Sequence, residues 1–283
     1  MNILDGAMGT MLFERGLGAG MPPDTWNLTH PEDVKDIHSR YVAAGADILT
    51  TNTFGANSIR LGASDYSGGD ISNIIYMAVE LAASASDHQR IAGDMGPTGL
   101  LLQPVGDLTA ESAYIAFNRQ AKALAHAGID LFLIETFFSL NEALLALRAA
   151  QDSADIPCWV SLTFRTTRRG FFTIHGDRPA DSLEKLLDAG AEMVGANCTL
   201  GSNEMKTLAE ELAPQFGNRL FFQPNAGQPI PTESGVIYPE TPEVFASAMK
   251  SIADLGVGAI GGCCGSTPEH IRELKLRCRG NNI

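Results

Sequence analysis

Basic residues are scarce in this 283-residue chain: 20 lysines and arginines face 33 aspartates and glutamates, a formal charge of −13. That balance argues against a nucleic acid or an anionic membrane as partner, since both attract basic patches. Long apolar runs are also missing. No stretch approaches the ~20 residues that a membrane helix needs, and Met1 to Leu12 lacks the basic-then-apolar order of a signal peptide. The chain is therefore expected in the cytoplasm. There its five cysteines stay reduced, available for thiol chemistry or metal binding rather than disulfides. Asn27-Leu28-Thr29 and Asn197-Cys198-Thr199 match the glycosylation pattern but carry little weight without secretion.

Nucleotide signatures are absent too. No Gly-x-Gly-x-x-Gly follows a strand, and no Gly-x-x-x-x-Gly-Lys-Ser/Thr occurs. Gly16-Leu17-Gly18-Ala19-Gly20 has the wrong spacing. Asp36-Ile37-His38 begins like a cobalamin-binding Asp-x-His-x-x-Gly, but Tyr41 stands where the glycine belongs. Nucleotide, S-adenosylmethionine and corrinoid domains are thus not expected, and His38, inside a predicted helix, reads as a packing or surface residue.

What is present is the composition of a folded soluble protein rather than a disordered or collagen-like one, with 45% hydrophobic residues and 29 glycines. The length suits two small domains or one barrel of ~250 residues. An internal echo favours the barrel. Ala44-Gly45-Ala46-Asp47, Ala127-Gly128-Ile129-Asp130, Ala189-Gly190-Ala191-Glu192 and Leu255-Gly256-Val257-Gly258 each precede a short apolar run. Each glycine sits where a helix ends in the left-handed conformation, and each run reads as a strand buried on both faces. The glycines are spaced by 83, 62 and 66 residues. A barrel unit takes roughly 30–40 residues, so each interval holds two. Intermediate strands are predicted at Arg90 to Met95, Pro157 to Phe164 and Arg219 to Pro224, and the first at Asn2 to Asp5. The expectation is one domain over residues 1–283, a (β/α)8 TIM barrel, with an open doubly wound sheet as the alternative. Ser139 with Glu142, and Asp181 with Glu184, are predicted capping boxes. Thr241-Pro242 and Thr267-Pro268 read as N-cap then N1 proline. Ser64 to Asp70 and Gln228 to Gly235 are expected to be loops.

In such a barrel, chemistry collects at the C-terminal ends of the strands. Asp5, Glu135, Cys198, Cys263 and Cys264 all fall there. Adjacent cysteines on a regular strand face opposite sides, but Gly261, Gly262 and Gly265 permit an irregular backbone that lets both converge. Three thiolates with one open position is a catalytic zinc design. The competing reading is of small buried core residues, which is what Cys158 and Cys278 are expected to be.

Asp5-Gly6-Ala7-Met8-Gly9-Thr10, Thr51-Asn52-Thr53-Phe54, Gly195-Ala196-Asn197-Cys198, Pro224-Asn225-Ala226-Gly227 and Gly261-Gly262-Cys263-Cys264-Gly265 through Ile271 resemble the homocysteine S-methyltransferase family. The likeness runs from Asp5 to Ile271. It implies that Cys198, Cys263 and Cys264 bind Zn2+. It also implies that Asp5 and Glu135 receive the amino group of L-homocysteine, and that backbone N–H groups near Gly6 and Ala7 receive its carboxylate. Asn52, Asn197 and Asn225 would line the site. A free thiol has a pKa near ~8.5, and zinc coordination deprotonates it outright.

The expected activity is methyl transfer to homocysteine, giving methionine, from a separate methylcorrinoid protein or a small methylated onium compound. Two alternatives stand beside it. One is a component that demethylates a small compound toward a separate corrinoid protein. The other is a non-catalytic barrel with structural zinc. A segment from Arg165 through His175, with Arg165, Arg168 and Arg169, departs from the family and reads as a solvated loop or a docking site for an acidic group. The sequence leaves the donor and the oligomeric state open.

Overall fold

Eight strands pair in parallel to form one sheet: β1 (Asn2–Ile3), β2 (Ile48–Thr50), β3 (Arg90–Met95), β4 (Leu131–Phe137), β5 (Cys158–Leu162), β6 (Met193–Gly201), β7 (Leu220–Asn225) and β8 (Ala259–Ile260). Each pairs with its neighbours in chain order, and β8 pairs with β1. A parallel bridge between Leu4 and Ile48 joins the first strand to the second and closes the ring. The hydrogen bonds Asp5 N to Ile48 O (3.1 Å) and Asp47 N to Ile3 O (2.7 Å) reinforce that seam. This is the expected (β/α)8 barrel, in a computed structural model that describes residues 1–18, 20–62, 71–232 and 235–280.

A major helix follows every strand: α1 (Pro31–Ala44), α2 (Ile71–Ala85), α3 (Ala110–Ala127), α4 (Leu140–Gln151), α5 (Pro179–Asp188), α6 (Ser202–Phe216), α7 (Pro242–Ala253) and α8 (Pro268–Arg279). The four echo glycines lie at or just past the ends of α1, α3, α5 and α7. All are left-handed, with φ of 94°, 91°, 94° and 80° for Gly45, Gly128, Gly190 and Gly256. A side chain at these positions would meet the Cβ penalty of that conformation.

Several local expectations change. Ser139 Oγ accepts from Glu142 N at 3.4 Å, but the Glu142 side chain does not reach back. It accepts from Thr98 N (2.9 Å) and Thr98 Oγ1 (2.7 Å) instead, tying α4 to the connection after β3. Asp181 is not a cap, because Pro179 starts α5 earlier and Arg178 is its N-cap. Thr241 caps α7 by accepting from Val244 N at 3.5 Å. At α8 the role of the distal acid falls to His270, whose Nδ1 accepts from Thr267 N at 3.2 Å. The arginine-rich segment contains a hairpin, Arg165–Thr167 with Gly170–Phe172. A second hairpin, Ile230–Thr232 with Gly235–Ile237, occupies part of the other predicted loop, whose residues 233 and 234 lie outside the described residues. Ser64 to Asp70 and Ala19 also lie outside them.

Two apolar layers hold the barrel. The larger, between sheet and helices, includes Ile37, Tyr41, Phe117, Phe137, Leu183, Phe222 and Phe245, all buried. The smaller fills the barrel with Leu4, Ile48, Ala92, Leu131, Leu133, Trp159, Met193, Phe221 and Ala259. Trp159 spans this interior, its ring 5.6 Å from Phe221 and its Nε1 donating to Glu192 at 3.1 Å. The crossing of β6 and β7 is so close that a Cβ on Gly195 would lie 1.8 Å from the Phe221 carbonyl oxygen.

Side chains two residues apart share a face of a strand. Stepping two residues from the apolar interior toward the C-terminal mouth therefore gives Thr50 from Ile48, Asp94 from Ala92, Glu135 from Leu133, Ser161 from Trp159 and Gln223 from Phe221. Met193 leads in the same way through Gly195 to Asn197. The pleat thus lays a polar layer above an apolar plug.

Candidate active site

The three cysteines meet at the mouth. Cys198 Sγ lies 3.9 Å from Cys264 Sγ, and Cys263 Sγ lies 4.0 Å from Cys264 Sγ. All three sulfurs fall within 4.8 Å of one another. Tetrahedral zinc with Zn–S bonds near 2.3 Å requires sulfurs about 3.8 Å apart, so the cluster fits that ion's donor set and spacing.

The backbone is shaped to bring them together. Beyond Asn197 the β6–β7 register shifts, and Cys198 and Thr199 take left-handed φ values of 57° and 52°. Among the described residues the only other non-glycine with positive φ is Thr136 (64°), next to Glu135. Such backbone costs about 1–3 kcal/mol per residue and persists where the surroundings hold it. After β8, Cys263 N donates to Pro224 O at 2.8 Å, while Cys264 O accepts from Ala226 N at 2.9 Å. The glycines are needed here: a Cβ on Gly262 would sit 2.3 Å from Ser266 Oγ, and one on Gly265 (φ 80°) 2.2 Å from the Tyr238 side chain. Hydrogen bonds from Cys198 and Cys263, with a further one from Tyr238, hold the Cys264 thiol down to about 3. The same network raises Cys263 well above the usual thiol range, through its hydrogen bonds to Cys198 and Cys264. Cys198 rises to about 12 despite a lowering hydrogen bond from Cys263, through its hydrogen bond to Cys264 and burial, so one sulfur is favoured as thiolate and its two neighbours as thiols.

Beside the thiols is a cavity of about 300 Å³, lined by Asp5, Gly6, Ala7, Thr50, Asp94, Glu135, Gln223 and all three cysteines, among others. No lysine, arginine or histidine is among its described lining residues. Asp5 accepts from Thr50 N (2.8 Å) and Thr50 Oγ1 (2.7 Å). Burial nevertheless pushes it from its ordinary 3.8 up to about 7. Glu135 rises to about 8, through burial first and then the negative charges of Cys264 and Asp5. Its carboxylate accepts a short hydrogen bond from Asn197 Nδ2.

The Asp5 shift has a signed consequence for stability. Between pH 3.8 and about 7 the folded protein holds the Asp5 proton more tightly than the unfolded chain does. Stability therefore falls as pH rises through that window. Urea unfolding of metal-stripped protein from pH 4 to 8 is expected to show a shallower decline for Asp5→Asn than for the parent. Parallel curves would contradict it.

The predicted asparagines play three different parts. Asn197 is fully buried and ties strand ends together rather than facing the cavity: its Oδ1 accepts from Thr136 N (2.9 Å) and Ser161 Oγ (2.8 Å), and its Nδ2 donates to Thr136 Oγ1 (2.7 Å). Asn52 touches the cavity but spends its amide on Pro23 O (2.8 Å) and Asn27 Oδ1 (3.0 Å), bracing the preceding loop. Asn225 does not line this cavity. It lies in a separate groove of about 460 Å³ with Arg165, Cys198, Gln228 and Tyr238, since the β7 end turns past the far side of Cys198.

The Ala7 N–H is already donated to Ser266 Oγ at 3.2 Å, which leaves the Gly6 N–H as the freer of the expected pair. Arg168 and Arg169 are exposed, while Arg165 reaches the separate groove. His38 is a packing residue, fully buried, and burial lowers its pKa to about 4. Cys158 is buried and Cys278 partly so, both away from the cluster.

Sequence reasoning missed Asp94. It weighed acids at the first and even-numbered strand ends, and β3 is odd. The signal was present in the alternation of Arg90-Ile91-Ala92-Gly93-Asp94-Met95, which puts an acid on the inward face two residues past a buried alanine.

Known proteins share this architecture. The homocysteine S-methyltransferase family profile matches residues 2–278. Methionine synthase of Mycobacterium leprae is 34% identical over 300 aligned positions, covering 99% of this chain and 24% of that protein. Methionine synthase of Mycobacterium tuberculosis is 32% identical, covering 95% of this chain and 24% of its own length. The chain thus spans about a quarter of the length of these relatives. The crystal structure of the homocysteine methyltransferase MmuM from Escherichia coli, metallated form, superimposes with a TM-score of 0.80 at 23% identity, covering 98% of this chain and 96% of that one. At that identity the likeness establishes the fold.

Proposed function

The chain belongs to the homocysteine S-methyltransferase family, and from that premise we propose that it transfers a methyl group to the thiol of L-homocysteine to give methionine. One observation carries the reading: a cluster of three cysteines opens onto the same cavity as the buried carboxyl of Asp5 and the half-buried Glu135. An amino acid whose ammonium lies against those acids would present its side-chain sulfur to the cluster. The separation of amine and thiol along a short chain is then what the cavity measures.

Cys198, Cys263 and Cys264 would hold the zinc ion. When bound, zinc supplies the acidity that turns an alkyl thiol into a thiolate at neutral pH, so no general base is required of the protein. The protein's own residues orient the substrate. Asp5, steadied by Thr50, and Glu135, steadied by Asn197, receive the ammonium, while the Gly6 N–H offers a donor to the carboxylate. Fixing the nucleophile in this way contributes by proximity.

The methyl group would come from a separate methylcorrinoid protein or a small methylated onium compound.

Zinc-edge X-ray absorption tests the reading directly. Purified protein is expected to contain zinc with three sulfur neighbours and one lighter atom, and to gain a sulfur neighbour on addition of L-homocysteine. Zinc with an unchanged spectrum would turn the reading toward demethylation of another compound or a structural metal. Protein that binds no zinc after reduction of its cysteines would overturn the mechanism.

A further inference from the structure

The cavity holds one more acid than an amino group recognised by Asp5 and Glu135 requires. Asp94 is 5% exposed, lines the cavity, and lies close enough to Glu135 for the two carboxyls to interact. Its main chain is clamped. Asp94 N donates to Thr51 Oγ1 at 3.0 Å, and its carbonyl accepts from Thr53 Oγ1 at 2.8 Å and from Gln120 Nε2 at 3.3 Å. The side chain is therefore aimed by fixed backbone on the inward face of β3.

The other two acids are already engaged. Both Asp5 oxygens accept from Thr50. Glu135 accepts from Asn197 and is hydrogen-bonded to the Asp94 carboxyl, which engages one end of that group only. The Asp94 Oδ1 atom is buried with no hydrogen-bond partner. A buried acceptor left open is costly, and three acids around one cavity without a basic lining residue call for a cation from the ligand. An ammonium group has three N–H donors.

Resting on the functional reading above, we propose that Asp94 is the third carboxyl contact of the substrate ammonium, and that it makes the cavity select an α-amino thiol over the same thiol without its amine. Asp94 is thus a specificity-determining residue. It acts at the end of the substrate away from sulfur.

The test compares L-homocysteine with 4-mercaptobutanoate, which has the thiol and carboxylate but no amine. Binding of each to zinc-loaded protein is measured by titration calorimetry, which needs no methyl donor. Asp94→Asn is expected to weaken homocysteine binding at least tenfold and to change 4-mercaptobutanoate binding less than twofold. Asp94→Ser, read in parallel with thermal melts, guards against an effect of altered packing. Equal weakening of both ligands, or of neither, would overturn the role of Asp94. If parent protein binds zinc but shows no preference for homocysteine over the desamino thiol, the functional reading itself fails.

Discussion

A Cys263→Ala variant is expected to lose its bound zinc and about 10³-fold of methyl transfer to homocysteine, because a metal supplies several kcal/mol of activation and each 1.36 kcal/mol is tenfold. The loss should leave the barrel folded. None of the three clustered cysteines belongs to either apolar layer, and all three are partly exposed. Cys278→Ala is the matched control: its thiol is half-buried on α8, outside the cluster, and both zinc and turnover should persist. Zinc content by elemental mass spectrometry and turnover measured on the same samples decide the matter. Full zinc occupancy in Cys263→Ala would remove the cluster from the mechanism. Lost zinc and lower thermal stability with turnover intact would mark the metal as structural.

Asn197→Ala is expected to cost about 3 kcal/mol of stability, since each buried polar group stripped of its partner costs about 1–3 kcal/mol. The deletion leaves the Thr136 N–H and the Ser161 hydroxyl without their acceptor, and Glu135 without its donor. It also removes the tie holding Thr136 in its left-handed conformation, and Glu135 is the adjacent residue. Weaker homocysteine binding should therefore accompany the lost stability. Ser161→Ala deletes a single hydrogen bond of the same cluster and should cost about 1 kcal/mol, with binding nearly unchanged. Urea unfolding and calorimetric titration of the two variants separate these effects. Equal stability of Asn197→Ala and parent would mean that the strand ends are held by packing alone.

The barrel was legible because its signals are local. A glycine that must be left-handed at a helix end, followed by a short apolar run, reports a helix-to-strand join within a few residues. Four such joins predicted eight barrel strands, and the barrel sheet has eight. Arg90–Met95 falls where it was expected, and the other strand limits moved by a few residues at most, because pairing rather than composition sets where a strand stops. The capping expectations were weaker. Glu142 was drawn away by two donors on Thr98, a residue 44 positions distant that no local pattern connects to it.

The sequence by itself determined the eight alternating strand and helix units and the placing of Asp5, Glu135 and three cysteines at strand ends. Each follows from backbone rules that act over one turn or one strand. Only the tertiary structure decided how the mouth is divided. Strand register and tilt, which depend on closure of the whole sheet, placed Asp94 beside Glu135, made Asn197 a tie between strand ends, and turned Asn225 into a separate groove. The same closure set sulfurs 66 residues apart at 3.9 Å, a separation fixed by the packing of all eight strands and by the glycines that let the last one bend.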